Sequence, residues 1–325
     1  MKRILLTGAG GFLGGHVLNY ILETTDWEVV AIDAYRGGGR IDRLPASDRV
    51  KLEVHDLRVP FSPSQIARIG DIDYAFNVAS GSHVPRAIED PRPFIENNVN
   101  LILTVLEWAR QNPPQALLHV SSAEVYGPAP QDYDFLPGDR YRPSNPYSAS
   151  KAMQDQACYS YWRTYDLPIG ILATMNIIGE MQDPEKFVPM VTKKVLSGET
   201  VRVHADGGKP GSRYYIHARD IAGALVHLAH RTVIPRFSEG LPMAWHHVAG
   251  NEEVDNLTLA QLIAEHAEAE LHCEMVQSDR PGHDSRYALD TTSLTDTGWK
   301  PSMTFEEGLA RTVGWLKNHR DWLAG

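Results

Sequence analysis

A chain of 325 residues, with 42% hydrophobic and 22% charged side chains, has the composition of a soluble globular protein and length for two lobes. Its net charge of −10 and the lack of any run of five basic residues argue against nucleic acid as a main partner, so an anionic ligand must be held by local groups. The two cysteines, Cys158 and Cys273, exclude a disulfide framework and give no metal-ligand spacing, and no stretch approaches the roughly 18 apolar residues of a membrane span. The start MKRILLTGAGG is basic and then apolar, but it breaks into glycines at once, so it reads as strand and turn rather than as a leader, and the cytoplasm is the expected compartment.

Lys2 to Thr7 reads as a short buried strand through Ile4, Leu5 and Leu6. Gly8, Gly11 and Gly14 follow directly, then a helical pattern in Val17, Leu18, Ile21 and Leu22, and a second strand from Trp27 to Ile32 closed by Asp33. Strand, glycine turn, helix, strand and acid together predict a dinucleotide site. Glycine permits a tight turn and close approach of backbone to pyrophosphate, and the helix start offers N–H groups to the phosphates, which assigns Gly8, Gly11, Phe12 and Leu13 to the cofactor. Asp33 stands where a carboxylate can bind the ribose 2′-hydroxyl and repel a 2′-phosphate, favouring NAD over NADP. Arg36 and Arg40 weaken that preference unless they are simply solvated, and a glycine turn without a ligand is the alternative reading.

Further strands follow at Val50–Val54, leading to Asp56-Leu57, at Tyr74–Val78, leading to Ala79-Ser80, and at Ala116–Ser121 and Ile169–Thr174, with helices such as Phe94 to Arg110 between them. This α/β rhythm predicts a Rossmann, doubly wound parallel sheet with its ligand at the carboxyl ends of the strands. Asp56, Leu57, Ala79 and Ser80 sit at such ends and are assigned to adenine and ribose; Asp56 can equally cap a turn.

The fifth strand ends in Val120-Ser121-Ser122-Ala123-Glu124-Val125-Tyr126-Gly127, which delivers two hydroxyls and a carboxylate toward a cleft. Beyond it, Pro146-Tyr147-Ser148-Ala149-Ser150-Lys151 leads into a helix, where Tyr147 and Lys151 share one face. An ammonium near a phenol lowers the tyrosine pKa and makes a general base near neutral pH. Such a pair on a helix is commonly surface decoration; with the serine strand end and the glycine turn in the same chain it becomes a catalytic set.

The combination Thr7-Gly8-x-x-Gly11-x-x-Gly14, Ser122 and Tyr147-x-x-x-Lys151 resembles the extended short-chain dehydrogenase/reductase family of NAD-dependent nucleotide-sugar epimerases and dehydratases, over nearly the whole chain. Within it the likeness is to the dTDP-glucose 4,6-dehydratases, through Ser82-His83-Val84, Phe94-Ile95-Glu96 with Asn98, Pro184-Glu185-Lys186, Arg280-Pro281-Gly282-His283-Asp284 and Gly298-Trp299-Lys300-Pro301. The resemblance implies that Ser122 holds the sugar C4 hydroxyl, Tyr147 deprotonates it, and Lys151 tunes Tyr147 and holds the nicotinamide ribose. NAD takes hydride from C4 and is regenerated if it returns it. Asn98 counts among the cofactor residues and braces the active-site helix, unless it merely faces solvent. Ser82, His83, Asn176, Lys186, Arg213 and Arg280 become contacts to a UDP- or dTDP-linked sugar. The family also implies a homodimer. It implies a nucleotide-binding domain over 1–175, rejoined by about 214–232, and a smaller C-terminal substrate lobe over 176–325, where Phe187–Leu196 and Arg219 to Leu228 read as helices, Phe237 to Pro242 as a loop and Trp245–Ala249 as a short strand.

The chain departs from its relatives at one telling place. Their strand end reads Ser-Thr-Asp-Glu-Val-Tyr-Gly, with Asp as acid toward the C6 hydroxyl and Glu as base at C5, whereas here Ala123 precedes Glu124. Acid or base catalysis supplies roughly 10² to 10⁴-fold, so its loss needs an answer. Glu124 can serve both steps, through a water in the space Ala123 leaves; the alternatives are a decarboxylase that needs no acid at C6, or a 4-epimerase that needs only Ser122, Tyr147 and NAD. Glu124 can also be an anchor bonded to a loop N–H, and the whole chain a non-catalytic NAD-binding protein. Gly81 and Asn100-Leu101-Ile102 also depart from the pattern and point to an altered sugar pocket.

Overall fold

Aliphatic runs buried on both faces make parallel strands covered by helices on either side. The computed structural model describes residues 1–231, 233–277 and 286–324. Its strands β1 (Arg3–Thr7), β2 (Glu28–Asp33), β3 (Val50–Val54), β4 (Tyr74–Asn77), β5 (Ala116–Ser122) and β6 (Ile169–Thr174) form a seven-stranded sheet together with Ala244–Val248. The order is Ala244–Val248, β6, β5, β4, β1, β2, β3, and every pairing is parallel. The helices of this part are α1 (Phe12–Thr24), α2 (Pro63–Ile69), α3 (Val84–Glu89), α4 (Pro91–Gln111) and α5 (Pro146–Tyr165).

Alternation along β1 divides the core. Ile4 and Leu6 pack with Val17, Leu18 and Ile21 of α1, while Leu5 faces the opposite cluster with Ile102 and Val105 of α4 and Cys158 and Trp162 of α5. Strand order reverses between β1 and β4, so their carboxyl ends open a crevice, the usual place for a ligand in such a sheet.

The helix Ala218–Arg231 packs Ile221, Leu225 and Leu228 into the α1 cluster. A second segment also joins the large sheet: the strand read at Trp245–Ala249 runs over Ala244–Val248 and pairs with β6, Ala244 opposite Gly170 and Val248 opposite Thr174. Its place is in the main sheet and not in the smaller lobe, because β6 offers an unpaired edge. The C-terminal region has two three-stranded sheets, one of Glu253–Asp255, Ser212–His217 and Asn176–Ile178, the other of Cys273–Gln277, Val201–Asp206 and Lys209–Pro210. A third core, with Val188, Val191, Ile263, Leu309 and Val313, holds it together. No helix among the described residues is long and apolar enough to cross a membrane.

Candidate active site

At the crevice, Gly8 leaves β1 with φ +70°, and a Cβ there would lie 2.8 Å from the Ala79 backbone. A Cβ on Gly14 would stand 1.9 Å from the Gly8 carbonyl oxygen, so α1 packs onto the turn only with glycine at that position. Gly11 caps α1 without any side-chain hydrogen bond, leaving the first-turn N–H groups at Phe12 and Leu13 to an anion. This cradle fits a dinucleotide pyrophosphate.

Asp33 secures the turn first: its carboxylate accepts from the Gly10 N–H at 2.8 Å and the Tyr35 N–H at 2.7 Å, with lone pairs left on each oxygen. Asp56 has become a turn cap, accepting from the Arg58 N–H at 3.0 Å and pairing with the guanidinium groups of Arg58 and Arg36 at 2.7 Å each. Those hydrogen bonds, the Arg58 side chain foremost, hold the Asp56 carboxyl well below the ordinary range. Arg40 is likewise taken by Asp42, at 2.9 Å. Leu57 packs its side chain into the core with Val30 and Ile32. The Thr7 hydroxyl accepts from the Ala79 N–H at 3.3 Å, and the Ser80 hydroxyl donates to the Gly81 carbonyl. Arg43, which the sequence reading passed over, is buried and joins two loops. It donates to the carbonyls of Gly10 and Gly38 on one side, and to the Met181 carbonyl and Asp183 carboxylate, both at 2.8 Å, on the other.

The second half of the site lies where β5 ends and α5 begins. Ser122 leads into one 3-10 turn, Ala123–Tyr126, and its hydroxyl accepts from the Glu124 N–H at 3.3 Å. Asn145 starts α5 with a capping box: its Oδ1 accepts from the Ser148 N–H at 2.9 Å, and the Ser148 hydroxyl accepts in return from the Asn145 N–H at 3.1 Å. Pro146 occupies the first helical position, and Tyr147 is thereby fixed in the first turn. The Asn145 amide also donates to Glu124 Oε2 at 3.2 Å. Tyr147 is hydrogen-bonded to Ser122 and meets Phe94 edge-on, ring centroids 6.3 Å apart.

Burial first, then the charge of Glu124, push the Tyr147 phenol above its ordinary value, with the Ser122 hydrogen bond opposing. This is opposite to the lowering predicted from Lys151. The cause is where the lysine points: Lys151 Nζ donates to the Val120 carbonyl at 2.8 Å and to Gln154 Oε1 at 2.6 Å. Burial pushes Lys151 down to about 8 against the field of Asp155.

Gln154 donates in turn to the Asn98 carbonyl at 2.6 Å, and Asn98 is fully buried. Its amide donates to Ser150 of α5 at 2.8 Å and to the Gly81 carbonyl at 3.0 Å, while its Oδ1 accepts from the Gly81 N–H at 2.7 Å. Both amide hydrogens and the oxygen are engaged within the protein, so Asn98 is a brace rather than a cofactor contact.

Lys186 donates to the Ser82 carbonyl at 2.9 Å and lies in the field of Glu124. His83 caps α3, accepting from the Arg86 N–H at 3.2 Å, and its Nε2 stands 3.4 Å from Glu185, which also binds Arg86 at 2.7 Å. Lys186 and Glu185 thereby tie their loop to the stretch Ser82-His83 ahead of α3. Asn176 is exposed at the head of its short strand, and Arg213 is buried with its guanidinium 4.5 Å from the Tyr287 ring centroid. Arg280 lies outside the described residues. Ala123 is buried and belongs to an apolar cluster with Ala152, Ala173, Met175 and Tyr287.

The sequence reading missed Asn145, Gln154 and Arg43. For Asn145 a signal existed in Asn-Pro-Tyr-Ser, an N-cap residue ahead of a helix-starting proline; the other two declare themselves only through contacts distant in sequence.

A family model described as "NAD dependent epimerase/dehydratase family" matches residues 4–236. A dTDP-glucose 4,6-dehydratase of Xanthomonas campestris is 33% identical over 352 aligned positions, which take in 100% of this chain and 96% of that protein. Among solved structures, a dTDP-glucose 4,6-dehydratase from Streptomyces venezuelae with NAD bound is similar with a TM-score of 0.88 and 30% identity, covering 99% of this chain and 98% of its own. A UDP-glucose 4-epimerase from Thermus thermophilus in complex with NAD is similar with a TM-score of 0.86 and 25% identity, over 97% and 99% of the two chains.

Proposed function

The chain belongs to the NAD dependent epimerase/dehydratase family, and from that premise we propose that it oxidises C4 of a UDP- or dTDP-linked sugar and continues as a 4,6-dehydratase-like lyase with Glu124 as the base at C5. The observation that carries this reading is the Asn145 amide holding Glu124 beside Tyr147, close enough for the carboxylate's charge to act on the phenol. Exchange at C4 alone needs one acid–base group; this site has two.

NAD would be held by the glycine cradle with Asp33 on its ribose, and would supply reversible hydride acceptance at C4. Ser122 holds the C4 hydroxyl and Tyr147 removes its proton. Because burial and Glu124 raise the phenol, Tyr147 depends on positive charge beside it, a role that falls to Lys151 once its ammonium turns from the Val120 carbonyl and Gln154 toward the phenol. The resulting 4-keto group acidifies the C5 proton, which Glu124 takes. With a packed methyl at residue 123, Glu124 is also the group that returns a proton to the departing C6 hydroxyl. Lys186, Ser82 and His83 line the sugar end, and Asn176, Arg213 and Arg280 serve the nucleotide diphosphate. The exposed Leu103 of α4 and Met153 and Tyr159 of α5 support pairing of two chains through these helices, which light scattering checks.

The buried methyl at 123 also supports a second reading, decarboxylation of a sugar acid, in which no C6 hydroxyl leaves. Incubation with UDP- and dTDP-linked glucose, N-acetylglucosamine and glucuronate, followed by mass spectrometry, decides between them. Loss of water supports the lyase, loss of carbon dioxide the decarboxylase, and unchanged mass with altered NMR couplings a 4-epimerase. No product from any of these sugars leaves a binding protein.

A further inference from the structure

Beneath the catalytic strand runs a string of buried polar side chains that the chemistry above does not use. The Thr7 hydroxyl donates to Asn77 Oδ1 at 2.7 Å, and Asn77 Nδ2 stands 2.9 Å from His119 Nδ1. Asn77 is the donor in that second contact, so the ring proton of His119 sits on Nε2, which is 3.4 Å from Asp155 Oδ1. Asp155 Oδ2 accepts from the hydroxyls of Ser121 and Tyr141 at 2.6 Å each. Tyr141 is bonded to Tyr126, whose hydroxyl lies 2.8 Å from His247 Nε2.

A carboxylate in the interior needs donors and an opposite charge. Ser121 and Tyr141 are the donors. Of the ionisable groups in its field, Tyr126 on the 3-10 turn, Tyr141 on the loop, and Tyr147 and Cys158 on α5 are neutral acids pushed up by burial. The bases are His119 on β5 and Lys151 on α5. Burial pushes His119 down to about 4, which leaves it neutral near pH 7. Lys151, one helical turn before Asp155 and buried like it, is the remaining base; its Nζ touches two uncharged acceptors, the Val120 carbonyl and the Gln154 amide, so the carboxylate acts on it as a field and not through an ion pair.

We propose that Asp155 is a positioning residue for Lys151: its carboxylate, clamped by Ser121 and Tyr141, keeps the buried lysine an ammonium ion. This deepens the reading of Lys151 given above and rests on it for its catalytic meaning. Without the carboxylate, burial draws Lys151 toward the neutral amine, which cannot support a tyrosinate.

The test follows Lys151 directly, through the carbon-13 resonance of its Cε in protein labelled at lysine, assigned by its loss in Lys151→Arg. Wild type is expected to titrate at about 8. Asp155→Asn is expected to move the midpoint to acid by about one unit or more, and Asp155→Glu, which keeps the charge, to stay within about half a unit. An unmoved midpoint in Asp155→Asn, or equal acid shifts in both variants, overturns the proposal. If Asp155→Asn does not fold by circular dichroism, Asp155→Ser, smaller and uncharged, takes its place, the same acid shift supporting the proposal and an unmoved midpoint overturning it. The pH profile of turnover adds a second reading, its alkaline limb moving to acid only in Asp155→Asn. Failure to turn over any nucleotide sugar would remove the proposed function and leave the lysine titration as informative as before.

Discussion

Asn145 and Glu124 are joined by a 3.2 Å hydrogen bond from the cap of α5 to the turn after β5, while the other end of the same amide starts the helix. One side chain thus fixes Tyr147 in its first turn and aims the carboxylate at the same cleft. Two substitutions separate these duties. Asn145→Ala removes the cap and is expected to lower stability by about 1 kcal/mol in urea denaturation. Asn145→Asp keeps a capping oxygen but sets a like charge against Glu124. It should retain stability and lose roughly tenfold or more in turnover. Turnover at the wild-type rate in Asn145→Asp would show that Asn145 acts only as a cap.

Tyr147→Phe should slow turnover by roughly 10² to 10⁴-fold while the unfolding temperature hardly changes. Glu124→Gln should stop the reaction after C4. In deuterated water the wild type is expected to place deuterium at C5 and the variant to leave C5 unlabelled. Label at C5 in Glu124→Gln would mean that another base does the work.

The glycine turn predicts a contrast among alanine variants. Gly8→Ala puts a side chain at φ +70° against the Ala79 backbone and should lower stability by roughly 1–3 kcal/mol, with loss of NAD retained through purification. Gly14→Ala, blocked by the Gly8 carbonyl, should behave alike. Gly314 stands inside the helix Phe305–Asn318 with no atom within 4 Å of its would-be Cβ, so Gly314→Ala should gain about 0.5–1 kcal/mol. Thermal unfolding of the three proteins checks the signs.

His16, His119 and His247 are each pushed down to about 4 by burial, from an ordinary 6.5. Between those values the unfolded chain takes up protons that the folded chain refuses, so stability falls as pH falls through that window and levels below it. The slope is at most about 1.4 kcal/mol per pH unit for each histidine. Urea midpoints measured from neutral to mildly acid pH test this. His119→Gln, which keeps an acceptor and a donor, should shed about one proton from the slope. A flat profile would refute it.

Much of the fold was open to reading because its signals are local. The buried runs of β1 and β6 and the helix start at Pro146 lie within a few residues of their causes. The edge strand Ala244–Val248 was recognisable as a strand but not as a partner of β6, since pairing between segments some seventy positions apart leaves no periodic trace. The site divides in the same way. Ser122, Glu124, Tyr147 and Lys151 could be picked out by type and spacing, and the structure brings Ser122, Glu124 and Tyr147 together. Where Lys151 directs its ammonium, which carboxylates already hold Asp56's arginines, and what encloses Ala123 are matters of packing. A side chain's charge can be read from sequence; the neighbour that consumes it cannot.

The buried guanidinium of Arg43 links the Gly10 and Gly38 carbonyls to the loop of Met181 and Asp183, three positions before Lys186. The halves of this protein are therefore not interchangeable modules. A chimaera that borrowed its first fifty or so residues from a relative without an arginine at position 43 would inherit a nucleotide turn with no fastening to the sugar loop. Anyone redesigning the sugar preference through the stretch around Lys186 would be altering, through that same side chain, the ground on which the dinucleotide rests.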